Sequence, residues 1–213
     1  MMNTYEEQIL TAVKYIKRRD RKLGIHVDLI GKCTLAPSRY HFDVLARSII
    51  GQQLSSKASS AIVERVERSL NSRRPFSARV INDAPEGQLL SAGVSRAKVS
   101  CIKLLAAEVL STPSYFRHLK HCPDEHVINS LTSVKGIGRW TAEMFLIFGL
   151  GRLDILSVSD AGLKRGLQLL LGLENKISEE DWIAYAERWR PFRSVASWYL
   201  WAMVDGKSKA AFH

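Results

Sequence analysis

Two glycines separated by one apolar residue interrupt the stretch LTSVKGIGRWTAEMF. Apolar residues on both sides predict helices, so Gly136 and Gly138 are predicted to lie in a tight turn between them, where both could adopt positive φ. Backbone N–H groups at the start of the second helix would face outward and could bind a phosphate. Lys135 and Arg139 add positive charge, and Ile137 is expected to pack back between the helices. The alternative is a plain glycine-rich connection.

Asp160 is the acidic side chain best placed for chemistry. It stands at the start of the predicted helix DAGLKRGLQLLL, where the helix dipole favours a negative charge. A carboxylate fixed there could stabilise a developing positive charge on a substrate. A simpler role, and a commoner one for Asp before a helix, is that of an N-cap.

The overall charge indicates the class of partner. Lys and Arg number 31 against 21 Asp and Glu, which gives a formal net charge of +10. Such a surplus favours a polyanion such as DNA, although charge alone does not separate this from an ordinary basic protein. The three cysteines, Cys33, Cys101 and Cys122, lie far apart, which excludes a disulfide framework and a four-thiolate metal cluster within the chain.

The elements that must position these residues are helical. Apolar residues recur at spacings of three and four, as at Ile9, Val13 and Ile16, while proline-containing breaks separate the stripes. About ten helices and no strand are predicted, hence an all-α fold in one domain spanning 1–213. Two helical lobes around a cleft are expected, although composition marks no boundary. No stretch predicts a membrane span or a signal peptide, so we expect an intracellular protein.

Four segments, taken together, resemble a known family. VKGIGRWTAEM and LSVSDAGLKRG, with RSIIGQQLSSKAS upstream and RWRPFRSVASWYLW downstream, are similar to the helix–hairpin–helix (HhH-GPD) DNA glycosylases of the 3-methyladenine glycosylase II type. The resemblance implies a two-lobed all-α fold with a DNA-binding cleft between the lobes and a helix–hairpin–helix at about 125–150. It also implies base flipping and hydrolysis of the N-glycosidic bond of alkylated purines in double-stranded DNA, which leaves an abasic site.

The resemblance assigns roles to individual residues. Asp160 matches the second acidic position of the motif, which is catalytic in the family. Many relatives have a second aspartate and a proline nearby, whereas this chain has Ser157, Val158 and Ser159 before Asp160. We expect Ser159 to cap the helix in place of the first aspartate.

Trp140 bears on the type of reaction. Bifunctional relatives that also cut the backbone carry a lysine at this position, which attacks the sugar, and tryptophan cannot do so. The resemblance therefore implies a monofunctional enzyme. Trp140 and Trp201 match aromatic residues of the base pocket, with Met144 one turn beyond Trp140 and Trp198 as a weaker candidate that favours core packing. The alternative is that all of these side chains fill the interior.

The segment IIGQQLSS matches the wedge that fills the gap left by a flipped base. Either Gln53 or Leu54 could insert into the DNA, and the sequence does not decide between them. Ser55 and Ser56 are expected to cap the following helix, and Ser55 and Thr141 are further candidates for contact with DNA. Alternatively, two helices simply meet at a polar break.

No cofactor is predicted. In resembling proteins, backbone carbonyls of the hairpin hold a monovalent cation, and the matching carbonyls here belong to Thr132, Val134 and Ile137. His118 and His121 stand near Cys122, but a solvated turn is the favoured interpretation, and no side-chain metal site is predicted. A monomer near DNA, in the cytoplasm and nucleoid or in a nucleus, is expected. The alternative functions are a non-catalytic DNA-binding protein and a bifunctional lyase for oxidised bases.

Overall fold

The computed structural model describes residues 4–71, 75–175 and 177–206. Within these ranges the chain is all-α and contains no strand, which confirms the predicted fold class. A π-helical turn (Phe145–Gly149) follows the tenth α-helix, and a 3-10 turn (Glu187–Trp189) follows the twelfth. The α-helices described are α1 (Tyr5–Arg19), α2 (Arg21–Ile30), α3 (His41–Gly51), α4 (Ser56–Ser69), α5 (Ala78–Asp83), α6 (Glu86–Ser91), α7 (Arg96–Ser111), α8 (Tyr115–Lys120), α9 (Asp124–Thr132), α10 (Arg139–Met144), α11 (Ala161–Leu171), α12 (Glu179–Ala186) and α13 (Arg193–Val204).

These helices outnumber the ten or so that apolar periodicity predicts. Four of them, α5, α6, α8 and α10, contain only six residues each. A helix of that length makes fewer than two turns, so it shows no repeated apolar stripe. None of the helices in the described ranges is long and apolar enough to cross a membrane.

The chain divides into two compact units. The terminal unit joins the residues up to Pro37 to those from Gly151 onward, and the central unit comprises Ser38–Leu150. Since the two ends of the chain combine to form one unit, no single change of composition along the sequence could mark the boundary.

The core of the terminal unit contains two fully buried tryptophans. Trp182 and Trp189 meet edge to face with ring centroids 5.9 Å apart, and Trp189 Nε1 donates a hydrogen bond of 3.0 Å to Asp20 Oδ2. Helices α11 and α13 pack closely at Gly166, where a Cβ atom would lie 2.8 Å from Leu200 Cβ. The same two helices meet again at Gly162, the second residue of α11, where a Cβ atom would lie 3.2 Å from Trp201 Cδ1.

The central unit is built around α3, α7 and the π-helical turn. Leu45, Ile49, Leu105 and Phe145 are fully buried there. Arg47 of α3 donates to Asp43 at 2.8 Å and to Glu67 of α4 at 2.7 Å, which ties these two helices together. The hairpin and the predicted wedge both belong to this unit.

Candidate functional site

The hairpin lies where the sequence predicts it. Helix α9 ends at Thr132 and α10 begins at Arg139, and the Ile137 side chain between them is buried, with 5% of its surface exposed. Gly136 has φ 97°, whereas Gly138 has φ −95° and is the N-cap residue of α10. The expectation that both glycines use positive φ therefore holds for Gly136 alone, because Gly138 has the extended backbone that precedes a helix.

The two glycines are required for different reasons. A Cβ atom at Gly136 would lie 2.9 Å from both Cβ and Sγ of Cys101, in addition to the strain of its positive φ. A Cβ atom at Gly138 would have no neighbour within 4 Å in the protein. Gly136 is thus demanded by the fold, while the fold places no such demand on Gly138.

The two basic residues beside the glycines also differ. Lys135 is exposed. Arg139 donates to Glu125 at 2.6 and 3.2 Å and to Glu143 at 3.0 Å, so its charge is balanced within the hairpin. The hydrogen bond from Arg139 lowers the pKa of Glu125. Arg139 therefore joins α9 to α10 and would have to exchange these partners to bind a phosphate.

The predicted wedge forms a turn between α3 and α4. Gln53 is exposed and has φ 58°, a conformation that costs free energy in a residue with a side chain. Leu54, next to it, exposes 39% of its surface. Ser55 is the N-cap of α4, accepting a 3.3 Å hydrogen bond from the Ala58 N–H, whereas Ser56 is the first helical residue and not a cap.

Two polar residues that sequence reasoning missed hold this turn. Gln52 Nε2 donates to the Gly136 carbonyl at 3.1 Å and to Thr141 Oγ1 at 3.0 Å. Lys98 Nζ donates to the carbonyls of Ile50 and Gln52, both at 2.8 Å, and partial burial lowers its pKa. The sequence signal for Lys98 was only its place next to Val99, a buried residue of α7, and such a position does not reveal its partners.

Thr141 is an internal residue of the hairpin. The whole residue is 1% exposed, and its hydroxyl accepts the hydrogen bond from Gln52. Thr141 therefore lacks the exposed surface that the predicted contact with DNA needs.

Asp160 is buried, 7% exposed, at the N-terminus of α11. Its Oδ1 atom accepts hydrogen bonds from the Leu163 N–H at 2.7 Å and from Trp201 Nε1 at 3.1 Å. Asp160 is itself the N-cap residue, so the expectation that Ser159 caps this helix is wrong. The reason is local backbone geometry: Asp160 has the extended φ and ψ of an N-cap, and its carboxylate reaches the third residue of α11.

Gly162 makes room for the contact between Asp160 and Trp201. A Cβ atom there would lie 3.1 Å from Asp160 Oδ1 and 3.2 Å from Trp201 Cδ1. These distances are tighter than ordinary van der Waals contacts. The carboxylate and the indole are thus held together by a direct hydrogen bond and by the absence of a side chain at position 162.

The other predicted pocket residues differ in burial. Trp140, the second residue of α10, and Trp201 are half-buried, whereas Met144 is fully buried and lies beneath the protein surface. Trp198, for which core packing was favoured, is also half-buried and contacts Tyr199 edge to face at 4.9 Å.

The proposed cation ligands are backbone atoms at the end of α9 and in the hairpin. The Thr132 carbonyl belongs to the last residue of α9, and the Val134 carbonyl accepts a 3.0 Å hydrogen bond from the Ile137 N–H. A cation held by the carbonyls of Thr132, Val134 and Ile137 stays a prediction.

Comparison with known proteins identifies relatives of this chain. Residues 46–191 match the model of the "HhH-GPD superfamily base excision DNA repair protein" family. The chain is 32% identical over 196 residues to the alkylbase DNA glycosidase-like protein mag2 of Schizosaccharomyces pombe, covering 89% of this chain and 91% of that protein.

Two solved structures are similar over most of their length. A DNA-3-methyladenine glycosidase from Bacillus halodurans is 37% identical with a TM-score of 0.71, covering 91% of this chain and 88% of that one. The 3-methyladenine DNA glycosylase Mag1 of S. pombe, solved in complex with abasic DNA, is 29% identical with a TM-score of 0.80, covering 94% of this chain and 100% of that one.

Proposed function

Because this chain belongs to the HhH-GPD superfamily of base excision DNA repair proteins, we propose that Asp160 is the catalytic residue of a reaction that removes an alkylated purine from DNA. The protein is a monofunctional DNA glycosylase of the 3-methyladenine type. It hydrolyses the N-glycosidic bond of purines such as 3-methyladenine and 7-methylguanine and leaves an abasic site.

The chemistry sets what the protein must supply. Alkylation at a ring nitrogen gives the base a positive charge, and the base leaves as a neutral molecule when it takes the electron pair of the breaking C1′–N bond. Positive charge then develops on the sugar until water attacks C1′ and loses a proton. The main demands are a fixed negative charge beside the sugar and a pocket for the flipped base.

The observation that supports the role of Asp160 is its double anchoring. The Leu163 N–H and the Trp201 indole both donate to Oδ1 of a carboxylate that is buried at a helix N-terminus. These bonds fix the negative charge before the substrate binds, so no reorganisation is needed as the charge on the sugar develops. Trp201 thereby positions the carboxylate in addition to its predicted place in the base pocket.

The wedge turn is suited to replacing a flipped nucleotide. Leu54 is the exposed apolar side chain of the turn and would stack between base pairs, while the amide of Gln53 would face the orphaned partner base. Trp140 and Trp201 are our candidates for base recognition, because each indole can hold a cationic base by stacking and by cation–π attraction. Gly138 and Lys135 would hold the DNA backbone, because the open space at Gly138 lets a phosphate approach the main chain closely.

DNA is the partner of the protein, since the family acts on DNA. We infer that it works as a monomer close to its DNA substrate, in the cytoplasm and nucleoid or in a nucleus, as its likeness to DNA repair glycosylases implies.

The decisive experiment compares the wild type with Asp160→Asn on methylated duplex DNA, with free 3-methyladenine and 7-methylguanine measured by chromatography. Asparagine is as good an N-cap as aspartate but has no charge. We expect the rate of base release to fall by about 100- to 1000-fold, while the affinity for a duplex carrying an abasic-site analogue persists. Full activity in this variant would rule out the assignment.

A second measurement tests the monofunctional chemistry. Borohydride traps a protein–DNA adduct only when an amine of the protein attacks the sugar. By resemblance, Trp140 occupies the position at which a lyase carries its lysine. Lys164, four residues after Asp160, forms an ion pair with Glu179 at 3.1 Å. We expect no trapped adduct and intact strands until the abasic site is cleaved by alkali.

A further inference from the structure

Three side chains of metal-binding type come together where α8 meets α9, away from the residues proposed for catalysis and DNA binding. His118 lies in α8, Cys122 lies in the turn and His126 lies in α9. One ligand atom from each residue lies within 4.8 Å of the other two. The sequence favoured a solvated turn for His118, His121 and Cys122 and predicted no side-chain metal site, whereas in the structure His126 joins His118 and Cys122 in one cluster.

The fold itself produces this arrangement. Helix α8 ends at Lys120, and Pro123 is the N-cap residue of α9. Only His121 and Cys122 therefore lie between the end of α8 and the cap of α9. His126 lies in the first turn of α9 and therefore faces back toward the end of α8. His118 and His126 pack edge to face, with ring centroids 5.9 Å apart and an interplanar angle of 74°.

The distances suit a tetrahedral ion. With Zn–N bonds of about 2.0–2.1 Å and a Zn–S bond of about 2.3 Å, tetrahedral geometry places a nitrogen and a sulfur ligand about 3.6 Å apart. His118 Nε2 lies 3.6 Å from Cys122 Sγ. His118 and His126 are both exposed, so their rings can make the small adjustment that closes the rest of the site.

We propose that His118, Cys122 and His126 bind one Zn²⁺ ion, with water as the fourth ligand. Two imidazoles and one thiolate are the donors preferred by Zn²⁺, whereas Mg²⁺ and Ca²⁺ prefer oxygen ligands. On binding, the Cys122 thiol loses its proton to solvent and forms the Zn–S bond, so the charge of the site rises by one and no redox step occurs.

The ion would join α8 to the first turn of α9. Helix α9 is the first helix of the hairpin, and its Glu125 is bound by Arg139 at the start of α10. Zn²⁺ would therefore stabilise the side of the hairpin that lies away from the glycine turn. This role is structural and does not depend on the proposed reaction at Asp160.

Cobalt(II) gives a direct measurement, because tetrahedral Co²⁺ with a thiolate ligand shows ligand-field bands in the visible and a sulfur-to-metal charge-transfer band in the near ultraviolet. The full-length protein, treated with a chelator and desalted, is titrated with Co²⁺ and the ion is then displaced with Zn²⁺. We expect one ion per chain and a rise in Tm with Zn²⁺. Cys122→Ser should abolish the charge-transfer band and weaken Zn²⁺ binding by about 100-fold or more.

His121→Ala is the matched control, because His121 is adjacent in sequence but lies outside the cluster. It should bind Zn²⁺ like the wild type, whereas His126→Ala should bind as weakly as Cys122→Ser. Circular dichroism checks that each variant is folded. No saturable binding, or equal affinities in the Cys122→Ser and His121→Ala variants, would overturn the proposal whatever the glycosylase activity.

Discussion

Asp160 combines a structural and a chemical task in one carboxylate. Its Oδ1 atom caps α11 by accepting a hydrogen bond from the Leu163 N–H, and it accepts a second hydrogen bond from Trp201 Nε1. The capping interaction that is usually taken as the reason for an aspartate before a helix is present, and here it also orients the charge. The two interpretations of Asp160 that the sequence left open are therefore compatible, because the cap is what holds the carboxylate in place.

Replacing Gly162 by alanine tests how finely that carboxylate must be placed. The new Cβ atom would lie 3.1 Å from Asp160 Oδ1 and 3.2 Å from Trp201 Cδ1, so one of the two groups must shift by a few tenths of an ångström. We expect kcat for base release to fall by about tenfold with little change in DNA affinity, because misplacement of a catalytic group by about 1 Å can cost about 100-fold.

Gly87→Ala is the control for the Gly162→Ala variant. Gly87 also lies in a helix, but a Cβ atom there would meet nothing within 4 Å. Its kcat should equal that of the wild type, and its unfolding free energy should rise by about 0.5–1 kcal/mol because alanine favours helix. If both variants had the same kcat, the placement of Asp160 would not depend on Gly162.

At the scale of elements, substitutions of the two hairpin glycines should affect different properties, stability at Gly136 and DNA binding at Gly138. Gly136→Ala should lower the unfolding free energy by about 2 kcal/mol or more, because it adds positive-φ strain and a clash with Cys101. Gly138→Ala should cost less, about 1 kcal/mol or below, because its backbone is extended and its surroundings are open, and the remaining cost is that alanine is a poorer N-cap than glycine. DNA affinity should nevertheless fall in Gly138→Ala.

The two measurements are a denaturant titration and a fluorescence anisotropy titration with an abasic-site duplex. The proposed phosphate contact needs the space that the Gly138→Ala methyl group would fill. If Gly138→Ala bound DNA as tightly as the wild type, the phosphate would have to be held elsewhere than at this turn.

The wedge turn and the hairpin form a connected pair through Gln52. Its amide donates to the Gly136 carbonyl and to Thr141 Oγ1, so the position of Leu54 depends on the position of the hairpin. We expect Gln52→Leu to lower kcat/KM for base release by about tenfold. Loss of these two hydrogen bonds costs about 1–3 kcal/mol, and this cost falls on the conformation that holds the wedge turn against the hairpin. Steady-state kinetics on a duplex with one alkylated base measures this effect.

Gln52→Glu sharpens the test of this connection. The carboxylate can accept but not donate, and it would face the Gly136 carbonyl, so it should be at least as damaging as leucine. A wild-type kcat/KM in both variants would mean that the turn holds its position through Lys98 alone.

The sequence predicted features that depend on local spacing. The apolar stripe of α1, the position of the hairpin and the acidic start of α11 follow from residues within a few turns of one another. The bridge from Gln52 to Gly136 joins residues 84 apart, so no local pattern could indicate it. The resemblance led to Ser159 as the cap of α11, in place of the first aspartate of the relatives. Ser and Asp are equally good N-caps, so only the backbone angles decide between these neighbours.

At the scale of the whole molecule, the charge of +10 determines how strongly DNA of any sequence is attracted. Each phosphate that a lysine or arginine neutralises releases counterions, so the logarithm of the affinity falls linearly with the logarithm of the salt concentration. The slope counts these contacts. A lysine that lies far from the DNA should contribute less to this slope than a lysine at the hairpin, because salt screens charges beyond about 10 Å at 0.1 M.

Lys135→Gln and Lys22→Gln test this distinction with the same change of net charge. Lys135 is exposed beside the hairpin glycines, whereas Lys22 is exposed on α2, outside the hairpin and in the terminal unit. We expect Lys135→Gln to reduce the salt slope of abasic-duplex binding by about 0.9 and Lys22→Gln to leave it nearly unchanged. Equal reductions would show that DNA responds to the total charge of the protein, and a reduction in Lys22→Gln alone would place the backbone contact away from the hairpin.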